Sequence, residues 1–279
     1  MPAAYLPDRS LIRIAGPDSQ DFLQALITTD VAAIPPQEAR PGALLTPQGK
    51  ILFDFLIWRD SDGFVIETDF AQRDAFVKRL TMYKLRAPVT IAALPDDGIT
   101  VSWDIEASDI TAIVDGRFLK AGLTLERRPG EHGSGAEADY QALRVAHGIV
   151  TSGDDYALQD IFPHDALLDL NGGLSFRKGC YVGQEVVSRM QHRGTARKRV
   201  VMVSAETALP ATGTELTAGG KPIGALGSVS GTSGLAIVRI DRAGEAINAG
   251  TPILAGETVV TLALPAWSGL TFPVVTVEA

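Results

Sequence analysis

The chain has 279 residues, 46% hydrophobic and 21% charged with both signs interspersed, and a formal net charge of −8. That composition belongs to a folded globular protein of one large or two unequal domains and excludes a disordered chain or a general nucleic-acid coat. The start, Met1-Pro2-Ala3-Ala4-Tyr5-Leu6, lacks a basic head before an apolar core, no apolar run is long enough to span a membrane, and the one cysteine suits a reducing compartment, so a cytoplasmic protein without membrane association is expected.

Leu11 to Ile14 alternates as a strand, and Gly16-Pro17-Asp18-Ser19 offers a turn and an N-cap for a helix carrying Phe22, Leu23, Leu26 and Ile27. Pro35-Pro36 ends that element. Ala43-Leu44-Leu45 and Ile51 to Ile57 read as two strands joined by the turn Thr46-Pro47-Gln48-Gly49-Lys50, with a third, Gly63 to Thr68, pairing next. Phe76, Leu80 and Tyr83 share one face of a helix over 71–83, which Pro88 stops.

Strands are expected at 89–93, 99–103 and 110–114, and the run from Leu119 to Glu126 reads as a further strand pairing with one of them. Residues near 127–138, rich in glycine and polar side chains, predict a mobile surface loop, followed by a helix over 139–147. Beyond Thr195, short β-branched runs punctuated by glycine (199–203, 215–216, 225–229, 234–238, 252–254, 258–264) predict a small antiparallel barrel. The class is α+β, with a body over 1–195 and a β-barrel over 196–279.

Between Arg177 and Arg199 stand seven cations (Arg177, Lys178, Arg189, Arg193, Arg197, Lys198, Arg199) against one acid, Glu185, a local charge of +6. A solvated helix face accounts for such a run, and an anion or RNA site is the alternative. The sole cysteine, Cys180, lies inside it, between Gly179 and Gly183 and before a helix on which Val182, Val186, Val187 and Met190 share a face. A neighbouring cation such as Lys178 and the amide end of a helix both favour thiolate over thiol, the form that attacks electrophiles or holds metals. A buried filler is the other use of a cysteine.

The run Lys178-Gly179-Cys180-Tyr181-Val182-Gly183-Gln184-Glu185 reproduces the signature Lys-Gly-Cys-Tyr-x-Gly-Gln-Glu. With Arg13-Ile14-Ala15-Gly16-Pro17-Asp18-Ser19, Thr28-Thr29-Asp30-Val31, Thr46-Pro47-Gln48-Gly49-Lys50, Tyr83-Lys84-Leu85-Arg86, Gly172-Gly173-Leu174-Ser175-Phe176 and Gly234 to Arg239 in the same order, the chain resembles the YgfZ family of folate-binding proteins. These are relatives of the aminomethyltransferase (T protein) of glycine cleavage and of the mitochondrial iron–sulfur assembly factor.

The resemblance implies an aminomethyltransferase-like body with a central folate-sized cavity, bound tetrahydrofolate, and a role in maturing or repairing iron–sulfur proteins, whose partners are those proteins or their cluster carriers. It puts the thiol of Cys180 at the centre of function, with Lys178, Gln184 and Glu185 around it. Gln184 and Glu185 also suit the first turn of a helix. Asp54, facing away from Phe53 and Phe55 toward solvent or the cavity, is the candidate acceptor for pterin nitrogens; Arg86 and Arg177 are candidates for the folate carboxylates. No intrinsic metal site is readable from four scattered histidines and one cysteine, although Cys180 can supply one ligand to a shared cluster. Two alternatives stand: a tetrahydrofolate-dependent aminomethyl or one-carbon transferase, and an RNA-binding or tRNA-modification factor using 177–199. The first is weakened because Phe53 replaces one acid of the aminomethyltransferase pattern.

Overall fold

The computed structural model describes residues 2–95, 98–105, 112–133 and 135–273. They form two compact units, one of residues 1–140 with 168–186 and one of residues 141–167 with 187–279. This differs from the expected division at 195, since the stretch 141–167 lies in the unit that holds the barrel.

The first unit opens with β1 (Ala3–Leu6), β2 (Arg9–Ala15) and α1 (Ser19–Gln24), followed by a 3-10 turn at Val31–Ala33. Next come β3 (Glu38–Leu45), β4 (Ile51–Asp60), β5 (Gly63–Asp69) and α2 (Phe70–Lys84). It continues with β6 (Thr90–Ala93), β7 (Ile99–Trp103), β8 (Ile113–Asp115), α3 (Gly116–Lys120) and β9 (Leu125–Pro129). The nine strands form one sheet in the order β1-β7-β9-β8-β3-β4-β5-β2-β6, antiparallel except for the β3–β8 pair. The predicted hairpin is present, with Ala43 opposite Asp54 and Leu44 opposite Phe53.

Alternation along these strands sends Ile12, Ile14, Phe53, Phe55, Ile57, Phe64 and Ile66 to one face, where Phe22 and Leu23 of α1 and Phe76 and Leu80 of α2 cover them. Phe76 stacks on both Phe53 (4.8 Å between centroids) and Phe55 (5.3 Å). At about 1.5–3 kcal/mol for each fully buried large apolar side chain, this layer dominates the stability of the unit.

The other face is polar at its centre. Glu67 of β5 is fully buried; Arg127 of β9 donates to it at 2.7 Å and to Asp115 of β8 at 3.1 Å, Arg9 donates to Glu67 at 2.8 Å, and Arg117 donates to Asp115 at 2.8 Å. Four strand spacings separate β9 from β5, about 19 Å in a flat sheet. A 2.7 Å contact therefore means that the sheet curls until its two halves face each other.

Two sequence expectations differ here. The run 119–126 is α3, a turn and the first residues of β9, because Asp115 accepts from the Arg117 amide and starts a helix. Of the strand expected at 110–114, residues 110–111 lie outside the described residues. The loop expected near 127–138 is narrower, since 127–129 extend β9 and α4 (Glu137–His147) begins at 137; Ser134 lies outside the described residues. It is also anchored: Thr100 Oγ1 donates to the Gly130 carbonyl at 2.7 Å and accepts from the His132 amide at 2.8 Å.

The second unit contains most of α4, most of α5 (Gln184–Arg193), and the strands β10 (Lys198–Ser204), β11 (Glu215–Ala218), β12 (Lys221–Ser230) and β13 (Ser233–Arg239). After α6 (Ile240–Asn248), β14 (Ile253–Ala255) and β15 (Thr258–Ala263) close the predicted barrel in the order β10-β13-β12-β11-β14-β15. Val201, Val203, Leu216, Leu226, Val238 and Leu262 fill it, with Ala243 and Ala246 of α6 packed against them.

Residues 141–167 belong to this unit because of one buried cation. Arg144, 1% exposed, donates to the Ile149 carbonyl at 2.8 Å, to Asp155 at 3.0 Å and to Ser228 of β12 at 2.9 Å. Asp155 also accepts the Ser228 amide at 2.8 Å, at a bulge where a Cβ on Gly227 would come within 2.5 Å of the same carboxylate.

Candidate functional site

The cysteine segment runs along the first unit between two anchors. At one end, Lys178 is only 8% exposed: its ammonium points inward and donates to the carbonyls of Ile27 (2.6 Å) and Thr29 (2.8 Å), 5.3 Å from the centroid of the Tyr181 ring. Burial pulls this amine down to about 8, against the opposing charge of Asp30. The same corner takes two more bonds from the segment, because the Ser175 amide donates to the Thr28 carbonyl (3.0 Å) and Thr28 Oγ1 donates to the Gly173 carbonyl (2.6 Å).

At the other end, Tyr181-Val182-Gly183-Gln184 forms a turn in which the Gln184 amide donates to the Tyr181 carbonyl and Gln184 Oε1 accepts the Tyr181 amide, at 3.2 and 3.3 Å. Gly183 has φ +79°, as the third position of such a turn requires, and a Cβ there would lie 2.5 Å from the Thr46 carbonyl. The turn thus rests on the β3–β4 hairpin loop, where Gly49 faces both Gly183 and Val186.

Between the anchors Cys180 is exposed, the free thiol expected from its setting. Two supports assigned to it change role. The Lys178 ammonium is engaged by backbone carbonyls inside the unit, because burial leaves it no water and those carbonyls satisfy it. The helix begins at Gln184, four residues after Cys180, because the Gly183 turn intervenes. Gln184 opens α5 and its side chain holds the Tyr181 amide of the preceding turn, and Glu185 is exposed in the first turn of α5.

The remaining candidates are spread over the unit. Asp54 is half-buried on β4, on the face shared with Leu56 and hence with Glu67, opposite the phenylalanine layer. Arg177 is exposed on the cysteine segment. Arg86 is exposed just beyond Leu85, whose φ of +46° turns the chain out of α2. Of the basic run, Lys178 and Arg199 are buried and bonded to carbonyls, Arg199 to that of His164 at 2.7 Å. Among the described residues no group of three His, Cys, Asp or Glu side chains is placed to hold a metal ion. Sequence reasoning missed the buried Glu67–Arg127–Asp115 cluster, since Glu67 lies on the phase of β5 opposite the apolar layer, Arg127 fell in the expected loop and Asp115 just past an expected strand.

The C-terminal β-barrel domain of CAF17 matches residues 197–270, which are the closed barrel. The iron–sulfur cluster assembly factor IBA57, mitochondrial, of Homo sapiens is 30% identical, with 84% of this chain and 76% of that protein covered; for the Mus musculus protein the values are 30%, 94% and 84%. The chain belongs to the IBA57 family. It spans about half the length of fungal relatives such as the Pyricularia oryzae IBA57 homologue (30% identical, 55% of that protein covered). The fold of the whole chain is that of the glycine cleavage system aminomethyltransferase T from Bartonella henselae, with a TM-score of 0.73 at 18% identity over 94% of this chain and 84% of that one.

These IBA57 relatives are designated mitochondrial, which overturns the expectation of a cytoplasmic protein. The inference failed because a lone cysteine reports only a reducing environment, and more than one compartment provides one.

Proposed function

We propose that this chain is an accessory protein in the maturation or repair of iron–sulfur proteins, working through the thiol of Cys180, and that within the IBA57 family it stands with the YgfZ branch whose signature it carries. The observation that supports this reading is the exposure of the one cysteine at the middle of a segment tied down at both ends. Such an arrangement holds a nucleophile or cluster ligand at a fixed place on the surface without burying it. Its partners are iron–sulfur proteins or the carriers that deliver clusters, for which Cys180 supplies one thiolate ligand and the partner supplies the rest.

Tetrahydrofolate is the proposed cofactor, a reading supported by the chemistry of the candidate side chains. Asp54 offers a half-buried carboxylate to pterin N–H donors, while Arg86 and Arg177 offer exposed guanidiniums to the glutamate tail. When bound, the folate supplies a one-carbon carrier or a redox-active pterin; the protein's part is to orient it. The aminomethyltransferase reading is set aside because Phe53, which replaces one acid of the pair, is stacked in the core against Phe76.

The test replaces the chain by its Cys180→Ala variant in cells and measures iron–sulfur enzyme activities. Loss of those activities with normal protein levels is expected, and full activity would refute the thiol role. Titration of the purified protein with tetrahydrofolate checks the cofactor, with Asp54→Ala weakening binding at least about tenfold.

A further inference from the structure

The segment that presents Cys180 has one feature with no part in thiol chemistry. Lys178 spends its charge on the inside of the protein, bonded to two carbonyls of the Ile27–Thr29 corner, where an apolar side chain would leave both acceptors without partners. The corner itself is rigid: Thr28 and Thr29 are fully buried or nearly so, and Thr29 Oγ1 donates to the Pro41 carbonyl of β3 at 2.8 Å. We propose that Lys178 is a positioning residue whose amine seats the cysteine segment on the Ile27–Thr29 corner and thereby fixes where Cys180 is presented. This deepens the reading of Cys180 as the working thiol and takes its functional meaning from it.

The groups facing the amine are the two carbonyls, the Tyr181 ring, and the carboxylate of Asp30, which is itself held by Gln24 Nε2 at 2.9 Å.

The experiment is amide hydrogen exchange of the full chain, read at Ser175, Lys178 and Tyr181, whose amides are hydrogen-bonded when the segment is seated, with Ala43 in β3 as the control for global opening. Lys178→Met should lose at least about tenfold in protection at the three amides while Ala43 stays constant, and Lys178→Arg, which keeps N–H donors for the carbonyls, should restore it. Undiminished protection in Lys178→Met, a loss shared equally by Ala43, or a Lys178→Arg variant as unprotected as Lys178→Met would each overturn the proposal. Should Lys178→Met not fold, Lys178→Gln, too short to reach both carbonyls, is read in the same way and decides. No iron–sulfur protein enters the measurement, so its failure is distinct from failure of the Cys180 reading.

Discussion

Arg127 and Glu67, 60 residues apart in the chain, meet across the inside of the curled sheet at 2.7 Å with neither side chain more than 2% exposed. Asp115 and Arg9 share in the bond, so every charge in the cluster has an opposite partner and the cost of taking it out of water is offset. The two halves of the sheet are thereby fixed against each other by geometry that a purely apolar contact would leave free to slide. Asp54 lies on this same face, so the register of its surroundings depends on this bond.

Removing one partner exposes that dependence. Arg127→Met leaves the Glu67 carboxylate buried with only Arg9 to meet it, and should cost about 3–5 kcal/mol in chemical unfolding. Arg9→Met should cost less, because the Arg9 side chain is about one-fifth exposed and Arg127 remains with Glu67.

The same cluster sets the acid limb of stability. Burial alone pushes the Glu67 and Asp115 carboxyls up, but Arg127 and Arg9 at Glu67, and Arg117 and Arg127 at Asp115, outweigh it and hold both below their ordinary values of 4.5 and 3.8. In each case the folded protein binds its proton less readily than the unfolded chain, so the contribution is complete above those values and is lost as pH falls through them. Melting temperature should be flat near neutrality and fall below about pH 5, and the fall should be shallower in Glu67→Gln. An equally steep fall in that variant would place the acid sensitivity elsewhere.

The cysteine itself should be dispensable for folding. Its side chain is exposed and both anchors of its segment lie outside it, so Cys180→Ala should unfold within about 0.5 kcal/mol of the wild-type protein. Gly183→Ala should not be neutral: it places a Cβ 2.5 Å from the Thr46 carbonyl at a φ of +79°, and a loss of about 1–3 kcal/mol is expected. Together the two variants separate the thiol from the platform that carries it.

Much of this architecture was legible beforehand. The β3–β4–β5 meander announced itself by alternation around Thr46 to Lys50, the barrel by regular glycine punctuation, and the cysteine segment by a signature that no other part of the chain repeats. What escaped was anything set by distant strands. Glu67 stands on the phase of its strand opposite the apolar residues and Arg127 fell in a run expected to be a loop, and local sequence does not say that the sheet will curl and bring them face to face. Lys178 read as a surface cation for the same reason, since its acceptors are carbonyls about 150 residues away, which no side-chain pattern advertises. α6 was missed although its apolar and polar residues fall on opposite faces at the helical period, because the run lies between two glycine-punctuated stretches read as barrel strands.

The corner that receives the cysteine segment offers the most discriminating substitution. Thr28 is fully buried, and its one hydroxyl works twice: it accepts the Ala43 amide of β3 at 2.9 Å and donates to the Gly173 carbonyl at 2.6 Å. Valine has nearly the same shape, so Thr28→Val changes packing little while leaving a buried donor and a buried acceptor unmet. At about 1–3 kcal/mol for each unsatisfied group, the loss should be about 2–4 kcal/mol after partial relaxation. Thr28→Ser keeps both bonds and gives up only a methyl group, so it should cost about 1 kcal/mol. If the hydroxyl were incidental, the order would reverse and serine would be the more damaging change.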